Sequence, residues 1–309
     1  MDRYTEECTH SVYIKGLCGN CGARMDPPQS NSISMIHSVP ELRVSEEYAK
    51  EIGQADQERL INERKLVLLV DLDQTILHTT HERVEGEPNV HSFTLWPGHP
   101  TYHTKLRPHL EEFLGSMSKM YELHIFTFGC RKYAHKIASI IDPERKYFGH
   151  RILSRDESVD QYFKQGNLNN LFPCGDSMVC IIDDRADVWR NAGNLIQVKP
   201  YSYFRTSISD GAQKSSVEEE EALERDASRL EALLGYDDEP EEASEEVVDE
   251  RCDKTDQDDY LLHILKILQY VHEKWYLELD EQRRFLVEGE KYKIPDIKDI
   301  IRKYLRKKT

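Results

Sequence analysis

Between residues 65 and 204 the apolar positions fall in short dense runs, separated by stretches in which they recur at helical spacing. Leu66–Val70 (LVLLV) is continuous and rich in branched residues, which predicts a strand buried on both faces. Tyr121–Phe126 and residues 178–182 repeat the signature, and residues 109–120 and 132–141 carry helical spacing with few breakers. Strands alternating with helices of about ten residues predict a Rossmann-like α/β domain over 65–215, a central parallel sheet with helices on both faces. Residues 41–64, rich in Glu, Gln, Ala and Arg, predict a helix, and residues 1–40 ahead of it form a short Cys- and Gly-rich segment with a loop at Pro27-Pro28. Beyond the domain, residues 260–309 resume a helical pattern. Leu261, Leu262, Leu265, Leu268 and Val271 lie on one stripe, and a short last helix over 295–308 ends in basic residues that suit its dipole.

Charge changes this picture in one place. The formal net charge is -16, and residues 217–259 hold twenty acidic and four basic residues, leaving 37 of each elsewhere. The whole excess sits in one stretch, so 216–259 is expected to be a disordered acidic linker, with 218–234 able to form an acidic amphipathic helix. Docking to a basic partner, or covering the active site, is the functional alternative. A formally neutral remainder argues against direct binding of nucleic acid. No apolar run approaches the roughly eighteen residues of a membrane span. An acidic N-terminus and seven cysteines predict reduced thiols inside a cell.

The chemistry starts at Val70-Asp71-Leu72-Asp73-Gln74-Thr75, where two carboxylates stand two apart as a buried strand runs out. In an open α/β sheet, ligands collect at the carboxyl ends of the strands. A solvated turn would explain that pair alone. Ile181-Ile182-Asp183-Asp184 places two more acids at a second strand end. Carboxylates converging from two central strands repel one another unless a cation holds them, and all-oxygen ligands favour Mg²⁺. The third strand ends in Thr127, whose hydroxyl can donate to a phosphate.

DLDQT, then FTFGCRKYA, then IIDDRADVW resembles the aspartate-nucleophile phosphatases of the haloacid dehalogenase (HAD) superfamily. More narrowly, the chain is similar to the TFIIF-associating RNA polymerase II C-terminal-domain phosphatases. CTHSVYIKGLCGNCG, HTKLRPH, AHKIASIIDPE and NLIQVKPY extend that similarity over almost the whole length. The resemblance implies a HAD core and a nuclear, Mg²⁺-dependent phosphatase acting on phosphoserine in the polymerase repeats, with TFIIF as a partner. It makes Asp71 the nucleophile and Asp73 the acid and base. The metal would be held by Asp71, the backbone carbonyl of Asp73 and the pair Asp183 and Asp184, with Asp184 the preferred direct ligand. Thr127 would bind the phosphoryl group. Arg107, in LRPH, falls on a position important for activity, either toward phosphate or as a structural pair for a buried acid. The family lysine commonly precedes an Asn-Leu pair; here that slot is Gly166, and Lys164 is the nearest candidate. Asp73 is expected to have a pKa raised by its anionic neighbours, with an activity optimum below neutrality. A BRCT module follows at about residue 309 in the family, and the chain is expected to lack it.

Cys8, His10, Cys18 and Cys21 have the residue types of a four-ligand zinc site, although Cys8-X-His10 is tightly spaced; incidental reduced thiols fit equally well. Cys130, Cys174 and Cys252 carry no expected function, and Cys180 reads as a core residue. Two rival activities remain. A small-phosphate-ester phosphatase needs a closing cap, for which residues 79–104 look too short and polar. A catalytically weak phosphopeptide or transcription-factor scaffold would be favoured by loss of Asp71 or Asp73, and both are present.

Overall fold

The computed structural model describes residues 8–24, 32–34, 42–84, 86–158, 160, 162–204, 258–285 and 292–306. Most of the acidic stretch, the helix expected over 218–234, Pro27-Pro28 and Cys252 lie outside the described residues.

The N-terminal segment is an antiparallel sheet of β1 (Val12–Ile14), β2 (Leu17–Cys18), β3 (Ser32–Ser34) and β4 (Leu42–Ser45), in the order β2-β1-β4-β3. The helix expected over 41–64 is corrected here. Leu42–Ser45 pairs with β1, placing Val12 opposite Val44, and helix α1 spans Glu46–Asn62. The change of state comes at Ser45, whose hydroxyl accepts from the Tyr48 amide at 3.2 Å and satisfies an otherwise unpaired donor of the first turn. Glu46 and Glu47 follow, where the dipole favours negative charge.

β5 (Leu66–Val70) is buried at every position, as its unbroken apolar run requires. After it comes an insert, β6 (Leu77–Thr80), β7 (Val90–Phe93) and β8 (Tyr102–Leu106), forming a separate antiparallel sheet in the order β6-β8-β7. The chain continues through α2 (Leu110–Met117), β9 (Tyr121–Phe126), α3 (Arg131–Ile141), β10 (Ile152–Leu153), α4 (Leu168–Leu171), β11 (Val179–Asp183) and β12 (Leu195–Gln197). The principal sheet is parallel throughout, in the order β10-β9-β5-β11-β12. It winds outward from β5 in one direction and returns on the other side with β11. The reversal leaves a crevice at the carboxyl ends of β5 and β11. Val70 lies level with both Ile125 and Ile182, so three strands run out together at this edge.

Helices α5 (Tyr260–Arg284) and α6 (Ile297–Arg306) complete the core. Leu261, Ile264, Leu268, Val271, Trp275 and Leu279 recur every three or four residues and are buried. Polar anchors fix the register: the Tyr121 hydroxyl donates to Leu268 O at 2.7 Å and that of Tyr276 to Lys65 O at 2.9 Å. Among the described residues no helix is long and apolar enough to cross a membrane.

Candidate active site

Past Val70 the strand gives way to a tight loop. Leu72 O accepts from the amides of Ile76 and Leu77 at 3.0 and 3.2 Å, and Gln74 sits in the left-handed region at φ 59°. This turn keeps Asp71 under the sheet edge and sets Asp73 at its mouth. Thr75, fully buried, accepts from the Asp184 amide at 3.1 Å and donates to the Asp184 carboxylate at 3.3 Å, tying the β5 loop to the end of β11.

Asp71, Asp183 and Asp184 each bring a carboxylate oxygen within 4.8 Å of the others. Lys164 enters the cluster from the turn before α4, its ammonium donating to Asp71 Oδ1 at 2.5 Å and to Asp183 Oδ2 at 2.7 Å. Asp183 is further held by Trp189 Nε1 at 2.8 Å and by the Arg185 amide at 2.8 Å. Lys164 is only 3% exposed, with the rings of Phe126, Phe128 and Trp189 at 5.6, 5.3 and 5.9 Å from Nζ. Burial pulls its pKa down, but the charges of Asp183 and Asp71 outweigh this and raise it to about 12. One ammonium does not balance three carboxylates. Asp71 is accordingly held well above the usual carboxylate range, first by burial and then by Asp183, and burial and Asp183 push Asp184 up to about 6.

Asp73 lies outside this cluster. Its Oδ1 accepts from the Tyr133 hydroxyl at 2.5 Å; that hydroxyl lies 2.8 Å from Thr79 Oγ1, itself 2.8 Å from Thr104 Oγ1. The chain of hydroxyls joins α3 and the insert to the mouth of the crevice. Burial lifts the Asp73 carboxyl to about 6 against the hydrogen bond from Tyr133. The upward shift expected from the sequence is present, but its chief cause is lost hydration rather than neighbouring anions.

Thr127 is buried at the end of β9, and its Oγ1 accepts from the Gly129 amide at 3.0 Å, which leaves the hydroxyl proton to donate. A Cβ at Gly129 would come within 2.5 Å of the Tyr133 ring, so glycine is what lets the loop pass over Tyr133. The displaced lysine has a similar explanation. A side chain at Gly166 would meet Asp160 at 2.5 Å, while Asn167 clamps the same loop by donating to Asp160 O at 3.0 Å. The slot before Asn167-Leu168 has no room, and Lys164 reaches the carboxylates from two residues earlier.

Arg107 is not brought to the cluster. Its guanidinium donates to Thr75 O and Lys199 O at 2.8 and 3.0 Å and pairs with Asp258 at 3.1 Å, between the rings of Tyr201 and Tyr260. With its donors directed to these partners, it supports the β5 loop from behind. These contacts are of the kind expected of the structural alternative, with a half-buried rather than a buried acid as partner.

The donor set fits the divalent cation implied by the resemblance. With all three carboxylates ionised, one ammonium would leave a charge of about -2 for a cation to balance, and hard oxygen donors of this kind suit Mg²⁺. At the other end of the chain, the donor atoms of Cys8, His10, Cys18 and Cys21 also lie within 4.8 Å of one another.

The family described as NLI interacting factor-like phosphatase matches residues 66–224, just over half of the chain. The chain belongs to that family. Among relatives of this NLI interacting factor-like phosphatase, the human C-terminal domain phosphatase of RNA polymerase II is 53% identical over 226 residues, covering 69% of this chain and 24% of its own length. The Caenorhabditis elegans protein of the same name is 42% identical over 309 residues, covering 96% of this chain and 42% of its own. The chain thus spans about a quarter to two fifths of these relatives. A solved structure described as Fcp1, an essential RNA polymerase II CTD phosphatase, superposes with a TM-score of 0.64 at 34% identity, over 83% of this chain and 74% of that one.

Sequence reasoning did not single out Tyr133, Trp189 or Thr75, although each lies inside a quoted motif. The available signal was position: each follows a strand end closely enough to turn back over it.

Proposed function

We propose that the chain is a Mg²⁺-dependent phosphoprotein phosphatase that works through an aspartyl-phosphate on Asp71. The observation that carries this is the division of labour between two carboxylates two residues apart. Asp71 lies in the cation-holding cluster with Lys164 on its oxygen, while Asp73 lies outside it with its carboxyl raised to about 6. Paired groups whose surroundings separate their protonation states are suited to nucleophile and acid roles.

In the first step an Asp71 oxygen attacks phosphorus, the bond to the substrate oxygen breaks, and Asp73 gives its proton to that leaving oxygen. In the second, Asp73 takes a proton from water as the water oxygen attacks phosphorus. The bond to Asp71 breaks, inorganic phosphate leaves, and both carboxyls return to their starting states. Lys164 and the Thr127 hydroxyl are placed to hold phosphoryl oxygens, and Tyr133 orients Asp73. Asp71, the Asp73 carbonyl and the acidic pair, with Asp184 as the direct ligand, would hold Mg²⁺, which would supply neutralisation of phosphoryl charge.

The substrate reading is phosphoserine in the heptad repeats of the RNA polymerase II C-terminal domain, which would place the protein in the nucleus. It is supported by what the named relatives act on and by an insert too small to close over a deep pocket. TFIIF as a partner rests on the resemblance alone. A structural Zn²⁺ at Cys8, His10, Cys18 and Cys21 is a separate part of the proposal, supported by the mutual approach of the four donors.

The test is phosphate release from a phosphorylated heptad peptide with Mg²⁺, wild type beside Asp71→Asn and Asp73→Asn. Turnover by wild type with both variants at background is the expected result. Cleavage of an aryl phosphate but not the peptide removes the substrate reading and keeps the chemistry. Failure on both brings the scaffold alternative forward.

A further inference from the structure

Among its described residues, the N-terminal sheet buries few apolar side chains. Its described residues bury Tyr13, Cys18 and Val44, far less apolar surface than is needed to order four short strands. Backbone conformation is also unfavourable there. His10 has φ 47°, and the two-residue turn between β1 and β2, Lys15-Gly16, has φ 53° and 75°. The Lys15-Gly16 geometry is the usual one for a two-residue hairpin turn, but a left-handed histidine needs something that over-determines it.

The four donors supply it. Cys8 Sγ lies 3.6 Å from Cys18 Sγ, and Cys21 Sγ lies 3.5 Å from His10 Nδ1; the cysteines are free thiols. Sulfur atoms bound tetrahedrally to one zinc stand about 3.8 Å apart, so the cluster is already near that size. The Cys18-X-X-Cys21 turn is built as a metal knuckle: the Asn20 amide donates to Cys18 Sγ at 3.4 Å, and the Gly22 amide to Cys18 O at 2.9 Å. The sheet transmits this order to the phosphatase domain along two routes. β1 pairs with β4 through Val12–Val44 to Ile14–Leu42, and the Ser45 amide donates to Ser11 O at 2.9 Å, one residue after His10. Ser45 is the residue that caps α1, whose far end buries Leu60 and Ile61 in the main core.

We infer that zinc bound by Cys8, His10, Cys18 and Cys21 is the clasp that orders β1 to β4 and, through β4 and Ser45, sets the first turn of α1, independently of the Asp71 cluster. The inference rests on the zinc reading above and adds what the ion does. Its dependence is one-sided: the strands and the cap need the ion, and the parallel sheet does not.

The experiment uses the full chain with Mg²⁺ in excess throughout. Metal content is measured by mass spectrometry on wild type and Cys18→Ser, and amide exchange is followed before and after a zinc-selective chelator. About one zinc per wild-type chain, and little on Cys18→Ser, are expected. On chelation, exchange at residues 12–14 and 42–48 should rise at least about tenfold, while residues 66–70 and aryl phosphate hydrolysis stay unchanged. Because the chelator acts on wild type, the result does not depend on the variant folding. Absence of zinc after purification and reloading sinks the zinc reading and the clasp with it. Zinc at one equivalent whose removal leaves exchange at 42–48 unchanged overturns the clasp alone.

Discussion

Two groups of potential metal ligands occupy different parts of the sequence and are held in opposite ways. Asp71, Asp183 and Asp184 are carried on a parallel sheet that buries its central strand at every position, and protein donors already meet them: Lys164, Trp189, Thr75 and the Arg185 amide. Cys8, His10, Cys18 and Cys21 flank or end the short strands β1 and β2, where few apolar side chains are buried among the described residues, and they lie against one another. In the first, the fold imposes proximity on groups that repel, and the repulsion is available for chemistry. In the second, the ligands are what the local fold is built around. Removing metal should therefore change charge in one place and order in the other.

The largest effect should come from the groups with no substitute. Under the proposed mechanism Asp71→Asn replaces the attacking carboxylate with a non-nucleophilic amide and should lower turnover by at least about 10⁴-fold with little change in thermal stability. A variant retaining a tenth of wild-type activity would show that the cluster is structural and erase the contrast. Lys164→Met leaves the buried carboxylates of Asp71 and Asp183 without their cation, a loss on the order of 3–5 kcal/mol for a broken buried pair. The Tm without metal should drop by about ten degrees and recover in large part with Mg²⁺, read by calorimetry. A drop that Mg²⁺ does not relieve would mean that the carboxylates do not share a cation.

Acidity gives a sharper version of the same test. Asp73 and Asp184 have folded-state pKa values raised to about 6, above those of an unfolded chain. A group raised in this way favours the folded state at low pH and loses that contribution as pH climbs through the folded value. Metal-free protein should thus be more stable near pH 5 than at pH 7.5, by a few kcal/mol, and Mg²⁺ should stabilise it more at the higher pH. A flat metal-free profile would show that the cluster is less dehydrated than its burial implies. The smallest effect belongs to Tyr133→Phe, which keeps the ring and removes the donor to Asp73. Turnover should fall about 10–100-fold with KM nearly unchanged.

How much of this was legible in the sequence follows from where each residue's partners lie. Leu66–Val70 and Tyr121–Phe126 were readable to the residue because a doubly buried strand announces itself without reference to neighbours. Asp71 and Asp183 inherited that clarity by standing where such strands end. Leu42–Ser45 was not readable as a strand, since its pairing partner lies about thirty residues earlier and its own four residues carry no helical or strand period of note. The insert was hidden for a similar reason: its strands are short and polar, and only β8 joins them. Arg107 was ambiguous because the carboxylate that pairs with it, Asp258, stands at the far end of the acidic stretch. Lys164 depended on Asp160 filling the space over Gly166, a contact with no trace in spacing.

That Arg107–Asp258 pair, with the Tyr121 and Tyr276 hydroxyls anchoring α5, has a consequence for the chain as a covalent object. The helix that closes the core is delivered from beyond residue 257, and these interactions that secure it lie outside the intervening stretch. A backbone cut within residues 205–257 severs connectivity and leaves each of these named interactions in place. The two fragments should therefore copurify through these contacts and the buried face of α5, and α5 supplied as a separate polypeptide should complement a chain that ends near residue 204.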